Sequence, residues 1–391
     1  MNARTADVVI VGGGVVGSAV AYFLAAEPAF DGRVVVVERD PTYRACSTSL
    51  SAGGIRQQFS TPENVAMSLF GIRFLREAAR HLAVDGQAPM ITLREQGYLF
   101  LATAAGRDVL AHNQRLQTQM GADIRWFEPA ALGERFPWLA TDDLVAGALG
   151  TSGEGWLDPF ALLQGFRRKA RALGVDYLQD EVCGIVRSGA RVEAVGLRSG
   201  ERLACAAVVN AAGPRAAAVA RMAGIDDLPV ASRKRCVFTF EAEPLPDCPL
   251  VVDPGGVYFR PEGQGYIAGV APPSDPDCED FTVEHALFEE MIWPALARRV
   301  PAFEALRPGA AWAGHYAYNV VDQNAILGPH PHIDNFYFAN GFSGHGLQQS
   351  PAVGRYISEL VSFGAARTLD LGAFSFERFA AGRMVSERNV V

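Results

Sequence analysis

Lysine is almost missing from this chain: Lys169 and Lys234 are the only two, and arginine supplies the rest of its 35 basic residues. Acidic residues outnumber basic ones, 43 against 35, for a net charge of −8. Phosphate binding leaves a basic footprint, so this balance speaks against a nucleic-acid partner. No apolar run approaches the roughly 18 residues a membrane-spanning helix needs. The start of the chain passes into a strand pattern without a basic segment and cleavage site, so a cytoplasmic location is expected. The six cysteines stand apart, with no CxxC pair and no metal-ligand spacing. Neither a disulfide framework nor a metal site is expected, in keeping with reduced thiols.

What is present begins at residue 7. Asp7–Val11 (DVVIV) reads as a buried strand and Gly12-Gly13-Gly14-Val15-Val16-Gly17 as a GxGxxG turn. A helix follows from Val15 to Ala26, then a second strand from Val34 that ends at Glu38. In such a βαβ unit Gly12 permits the tight turn, Gly14 lets backbone approach a pyrophosphate, and Gly17 lets helix and strand pack closely. The helix start at Val15 and Val16 offers N–H groups to phosphate oxygens. Glu38 would accept hydrogen bonds from ribose hydroxyls, and a carboxylate there disfavours a 2′-phosphate.

The next segment selects FAD over a nicotinamide cofactor. Cys46–Gln58 (CSTSLSAGGIRQQ) is rich in hydroxyls and glycines where a nicotinamide enzyme would continue alternating strand and helix. Ser47, Thr48 and Ser49, with Ala52, Gly53 and Gly54, suit a second grip on a pyrophosphate. Ala206–Gly213 is an apolar strand running into small residues, Ala211, Ala212 and Gly213. Asn335–Ala339 leads into a dense glycine loop, Gly341, Gly344 and Gly346, with a helix expected from about Gln349. Three glycine-rich segments around one flat ligand point to a single large cofactor.

These segments resemble the D-amino-acid oxidase superfamily of flavoproteins, in its branch of sarcosine oxidase, dimethylglycine dehydrogenase and D-arginine dehydrogenase. The likeness runs through VVIVGGGVVGSAVAYFLA, VVVVERD, STSLSAGGIRQQFS, GEGWLDPFALLQGF, VVNAAGPRAAAVARMAG, VYFRPEG, WAGHYAYNVVDQNAILG and GFSGHGLQQSPAVGR. GGIRQQFS and GFSGHGLQQSPAVGR look nearest to the FAD-dependent oxidoreductase domain-containing proteins, some of them linked to respiratory complex I assembly. The resemblance implies an α/β (α+β) two-domain flavoprotein, with a Rossmann-like FAD-binding domain and a substrate domain on a large, mostly antiparallel sheet. The flavin domain would comprise about residues 1–80, 150–225 and 320–385, and the substrate domain 81–149 and 226–319. It also places Arg39, Val182, Gly314, Leu347 and Gln348 beside the cofactor.

On the same resemblance the chain is expected to oxidise a small amine, most simply a D-amino acid or N-alkyl amino acid. A hydride would pass from the carbon next to nitrogen to flavin N5, leaving an imine that water hydrolyses. Tyr258 in GVYFRPEG matches a pocket tyrosine and Arg56 a carboxylate-binding arginine. His345 would lie beside the flavin and could relay a proton near neutral pH. An assembly role without a small substrate, and a nicotinamide-dependent dehydrogenase, are the competing readings. The electron acceptor stays open among oxygen, a quinone and a protein.

The chain departs from these relatives at informative places. Gln348 stands where sarcosine oxidases carry a carboxylate-binding lysine, and Tyr316 where D-arginine dehydrogenase carries an arginine. The stretch Tyr258–Val270 lacks the lysine that promotes oxygen reduction, leaving Arg260 as its cation, so dehydrogenase behaviour is favoured. Sarcosine oxidases attach FAD to a cysteine near the position of Tyr316, and no cysteine follows Cys278. The cofactor is therefore expected to be non-covalent: acid denaturation of the yellow holoprotein should release all flavin into the supernatant as FAD, and flavin retained on the precipitated chain would contradict this.

Overall fold

The computed structural model describes residues 4–388. Two eight-stranded sheets organise the chain. In the first, the strand Arg4–Val11 lies between Val34–Glu38 and Arg202–Asn210, parallel to both. Asp176–Gln179 extends it on one side and Ile333–Asn340 on the other, both also parallel. Val34–Val37 are fully buried, as expected of parallel strands covered on two faces, which therefore read as unbroken apolar runs.

The helix Val15–Ala25 leaves the first strand through the glycine turn. Gly12 has φ +99°, and a Cβ on it would lie 2.5 Å from the Ala211 carbonyl oxygen. A Cβ on Gly17 would lie 1.9 Å from the Gly12 carbonyl oxygen, so the helix approaches the turn as closely as backbone allows. The helix Pro159–Ala172 starts where its sequence predicts, with Asp158 accepting from the Ala161 N–H and Pro159 in the first turn. The last long helix spans Gly346–Phe363. It begins three residues before the expected Gln349, because His345 and Gly346 join the first helical turn instead of extending the loop.

The second sheet runs in the order Arg307–Asn319, Val230–Glu241, Gly265–Gly269, Tyr258–Glu262, Leu250–Val252, Tyr98–Ala102, Ala146–Gly150, Ile124–Phe127. All neighbours are antiparallel except Leu250–Val252 with Tyr98–Ala102. Its two faces divide the labour because side chains alternate along a strand. Leu99, Val251, Phe259, Ala268, Phe238 and Cys236 fall on one face and fill a closed core. The opposite face carries Tyr98, Phe100, Tyr258, Arg260, Arg235 and Tyr316, an unusual share of polar and aromatic groups for a buried surface.

That face meets the Cys46–Gln58 loop. Trp312 Nε1 donates to the Leu50 carbonyl at 2.9 Å, and Arg260 Nη2 donates to the Ala52 carbonyl at 2.7 Å. The loop then forms the two-residue strand Gly54–Ile55, paired with Gly155–Trp156. Among the described residues, no helix is long and apolar enough to cross a membrane. Gly17→Ala should overpack the turn at a cost of about 1–3 kcal/mol. A lowered urea midpoint together with weakened FAD retention is expected, and an unchanged midpoint would show that the turn can yield.

Candidate functional site

The main cleft lies along the carboxyl ends of the first sheet, where open α/β sheets place their ligands. Its non-atom space, open mouth included, is about 1620 Å³. Gly12, Gly14, Val15 and Val16 line it at the start of the first helix. The N-cap residue Gly14 has no side chain to cap that helix start, and no acidic residue sits in its first turn. The partial positive charge of the helix start therefore faces the cleft. Thr48 Oγ1 accepts from the Val15 N–H at 3.2 Å and brings the second loop against the first.

Glu38, Arg39, Val182, Ser47, Thr48, Ala211, Ala212, Gly213, Tyr316, Gly344, Gly346 and Leu347 also line the cleft. Glu38 is already partly engaged: its carboxylate accepts from the Gly13 and Asp40 N–H groups, each at 2.8 Å. Each oxygen keeps a lone pair for a ribose hydroxyl. The other expected cofactor residues lie off the lining. Gly17 packs on Gly12 and Gly314 on Leu50. Ser49 contacts Cys46, Ala52 is held by Arg260, and the Gly53 carbonyl accepts from the Leu157 N–H. Gly54 is in the short strand and Gly341 turns the chain with φ +69°.

His345 and Gln348 reach a second locus beyond Tyr316. Arg56 is its centre, 4% exposed, with its Cζ 4.2 Å from the Phe59 ring centroid. Burial this deep excludes an ordinary surface ion pair for Arg56. Its Nη1 donates to the Gln58 carbonyl at 2.5 Å, and its Nη2 lies 3.1 Å from His345 Nε2. Because the guanidinium only donates, His345 Nε2 is the acceptor and the ring proton sits on Nδ1. Burial, then the Arg56 charge, holds the His345 pKa well below the ordinary histidine value. His345 is therefore neutral near neutral pH. Gln348 Oε1 accepts from the Arg56 N–H at 2.7 Å, leaving its amide nitrogen as the donor.

Tyr316 bridges cleft and locus. Its ring lies against Gly344, where a Cβ would come within 2.5 Å of it. The Arg235 Cζ is 5.1 Å from the Tyr316 centroid, and Arg235 itself pairs with Asp275 at 2.8 and 2.9 Å. Burial raises the hydroxyl pKa values of Tyr98 (to about 12), Tyr258 and Tyr316, so all three remain neutral donors. Arg260 is engaged across its fork: its Nε and Nη2 hold the Ala52 carbonyl, and its Nη1 holds the Pro261 carbonyl and the Glu262 carboxylate. A guanidinium so engaged clamps the loop instead of offering free charge.

Sequence reasoning passed over Glu154, although it lies in the GEGW segment. It is 1% exposed, and its pKa is pushed up to about 7 by burial, against the hydrogen bonds from Gln57 and Gln58 and the charge of Arg56. Nothing local marks it; its partners are nearly a hundred residues away. Among the described residues, no His, Cys, Asp or Glu cluster could hold a metal ion.

A helix start, a close glycine turn and an acidic strand end facing one cleft fit the ADP half of a flavin cofactor and define a dinucleotide-binding flavoprotein. The chain belongs to the family of FAD dependent oxidoreductases (DAO), whose model matches residues 7–360. It is 44% identical to FAD-dependent oxidoreductase domain-containing protein 1 of Xenopus laevis, over 99% of this chain and 85% of that protein. Among solved structures it is similar to L-proline dehydrogenase from P. horikoshii, with TM-score 0.88 and 26% identity over 98% of this chain and all of that one. Glycine oxidase from Geobacillus kaustophilus gives TM-score 0.81 and 26% identity, over 96% of this chain and 99% of that one. FAD is the cofactor of this chain, and the α/β two-sheet architecture is that of the family.

Glu154 sets a pH dependence whose sign follows from its raised pKa. Between its ordinary value of 4.5 and about 7 the folded chain binds more protons at this group than the unfolded chain does. The Glu154 contribution to stability is full below that window, falls as pH rises through it, and levels off above it. Urea midpoints measured across the window should fall less steeply in Glu154→Gln than in wild type, and parallel slopes would place the titration elsewhere.

Proposed function

We propose that the chain oxidises a small amine that carries a carboxylate, with a D-amino acid or an N-alkyl amino acid as the simplest substrate. The observation that carries this reading is the buried Arg56 guanidinium, set between the loop after the second strand and the start of the last long helix. A buried, forked guanidinium suits a carboxylate. Relatives with names such as sarcosine oxidase subunit beta and glycine oxidase support an amine substrate class.

FAD, when bound, supplies the acceptor for the hydride that leaves the carbon next to nitrogen. The residues of the chain do the rest. Arg56 holds the carboxylate, and the Gln348 amide nitrogen adds a neutral donor beside it. Tyr258 and Tyr316, on the facing sheet, donate from hydroxyls that burial keeps protonated. A neutral His345 keeps its Nε2 lone pair on Arg56 and so fixes the guanidinium plane. The Glu38 carboxylate and the helix start at Val15 and Val16 hold the cofactor.

Dehydrogenase behaviour fits the state of the one cation in the Tyr258–Val270 stretch. Arg260 is matched by Glu262 and by two carbonyls, which leaves little uncompensated charge to stabilise a developing superoxide. A flavoprotein that serves assembly without a small substrate is the second reading. It is favoured by the replacement of both usual carboxylate anchors, at Gln348 and Tyr316.

Anaerobic mixing with a panel of D-amino and N-methyl amino acids should bleach the flavin with at least one member. Arg56→Ala and Tyr258→Phe should slow that bleaching by about tenfold or more while FAD occupancy stays at the wild-type level, the range of about 1.5–3 kcal/mol for a hydrogen bond to a charged group. Reoxidation of the reduced protein by dissolved oxygen should be slow. No bleaching by any member favours the second reading, and wild-type rates in both variants would move the carboxylate site away from Arg56.

A further inference from the structure

The GEGW segment holds a buried acid that the cofactor cleft does not use. Glu154 immediately precedes Gly155–Trp156, the strand that pairs with Gly54–Ile55. The register sets Gly54 opposite Trp156 and Ile55 opposite Gly155, so its continuation sets Arg56 opposite Glu154. The acid thus stands across from the arginine that the proposed function places on the substrate carboxylate.

Its carboxylate does not spread its bonds at random. Oε1 accepts from the Gln57 and Gln58 N–H groups, at 2.5 and 3.1 Å, and Oε2 accepts from Gln58 Nε2 at 2.8 Å. Gln58 Nε2 also donates to the Tyr98 carbonyl at 2.8 Å, which ties it to the facing sheet. The Gln58 carbonyl is the group that receives Arg56 Nη1. Glu154, Gln58, Arg56 and His345 therefore form one continuous chain of hydrogen bonds. The fold makes room for it: a Cβ on Gly150 would fall 1.8 Å from Glu154 Oε2, and one on Gly153 would fall 2.2 Å from Gln57 Nε2.

Burying a carboxylate is costly, and a neutral acceptor or a packed apolar group would serve plain stability at least as well. What an acid adds is two acceptor oxygens with four lone-pair sites, enough to fix two successive backbone N–H groups and a side-chain amide together. We propose that Glu154 is a positioning residue for Arg56, holding the Gln57–Gln58 backbone so that the Gln58 carbonyl fixes the guanidinium for an incoming carboxylate. The inference rests on the reading of Arg56 given under the proposed function.

Acetate, titrated into the FAD-loaded protein and followed through the visible flavin band, isolates carboxylate binding from turnover. Arg56→Ala should weaken acetate binding by more than tenfold. Glu154→Ala should weaken it by about tenfold, and Glu154→Gln, which keeps the volume and one acceptor oxygen, by a few-fold, with FAD content unchanged in both. With a reducing substrate the Glu154 variants should raise KM more than they lower kcat. If Glu154→Ala does not assemble as holoprotein, Glu154→Gln decides the matter alone. Wild-type acetate affinity in Glu154→Gln, and in Glu154→Ala where it assembles, alongside a loss in Arg56→Ala, overturns the positioning role and leaves the Arg56 reading intact. Unchanged binding in Arg56→Ala, or no acetate binding by wild type, overturns the Arg56 reading itself.

Discussion

The half-buried Cys46–Gln58 loop has to satisfy its backbone polar groups against the second sheet, and the arrangement of the site depends on how it does so. A buried unpaired carbonyl or N–H costs about as much as a lost hydrogen bond, so each must find a partner. Trp312 and Arg260 reach across from the second sheet to the Leu50 and Ala52 carbonyls. Ser47 Oγ donates to the His315 carbonyl at 2.6 Å, and Glu154 receives the Gln57 and Gln58 N–H groups. The loop is fixed from both sides, so Thr48 meets the helix start and Arg56 meets His345.

This clamp explains why charged residues crowd a sheet face that would otherwise be apolar. Arg260 closes the loop, and Arg235 is compensated by Asp275 beside Tyr316. Buried charges of this kind are tolerated only when paired and hydrogen-bonded, and these are. Arg56 is held by the Gln58 carbonyl, the His345 imidazole and the Phe59 ring. Arg260 is matched by Glu262 and Arg235 by Asp275.

The cofactor half of the site was legible in the sequence because its constraints are local. Gly12, Gly14 and Gly17 answer to backbone geometry within a few residues, and Glu38 closes the same unit at a fixed spacing. The polar locus was only partly legible. Arg56, Tyr258, Tyr316, His345 and Gln348 could be named from resemblance, yet whether they share a chamber depends on sheet register. Glu154 escaped notice because its partners are about a hundred residues distant and its neighbours, Gly153 and Gly155, read as an ordinary loop. The late helix start expected at Gln349 has a related cause: glycines at 344 and 346 signal a loop locally, and packing overrides them. The surroundings of Arg260 and His345 are not encoded locally either: Glu262 and two carbonyls engage the first, and desolvation lowers the pKa of the second.

A crystal structure of the FAD-loaded protein with an N-methyl amino acid bound under anaerobic conditions tests the account most directly. The carboxylate is predicted within hydrogen-bond distance of the Arg56 guanidinium and the Gln348 amide nitrogen, with the amine-bearing carbon over the flavin ring and the Gln58 carbonyl still on Arg56. A ligand seated away from Arg56, or an Arg56 that swings out to a different partner when the ligand binds, would contradict it.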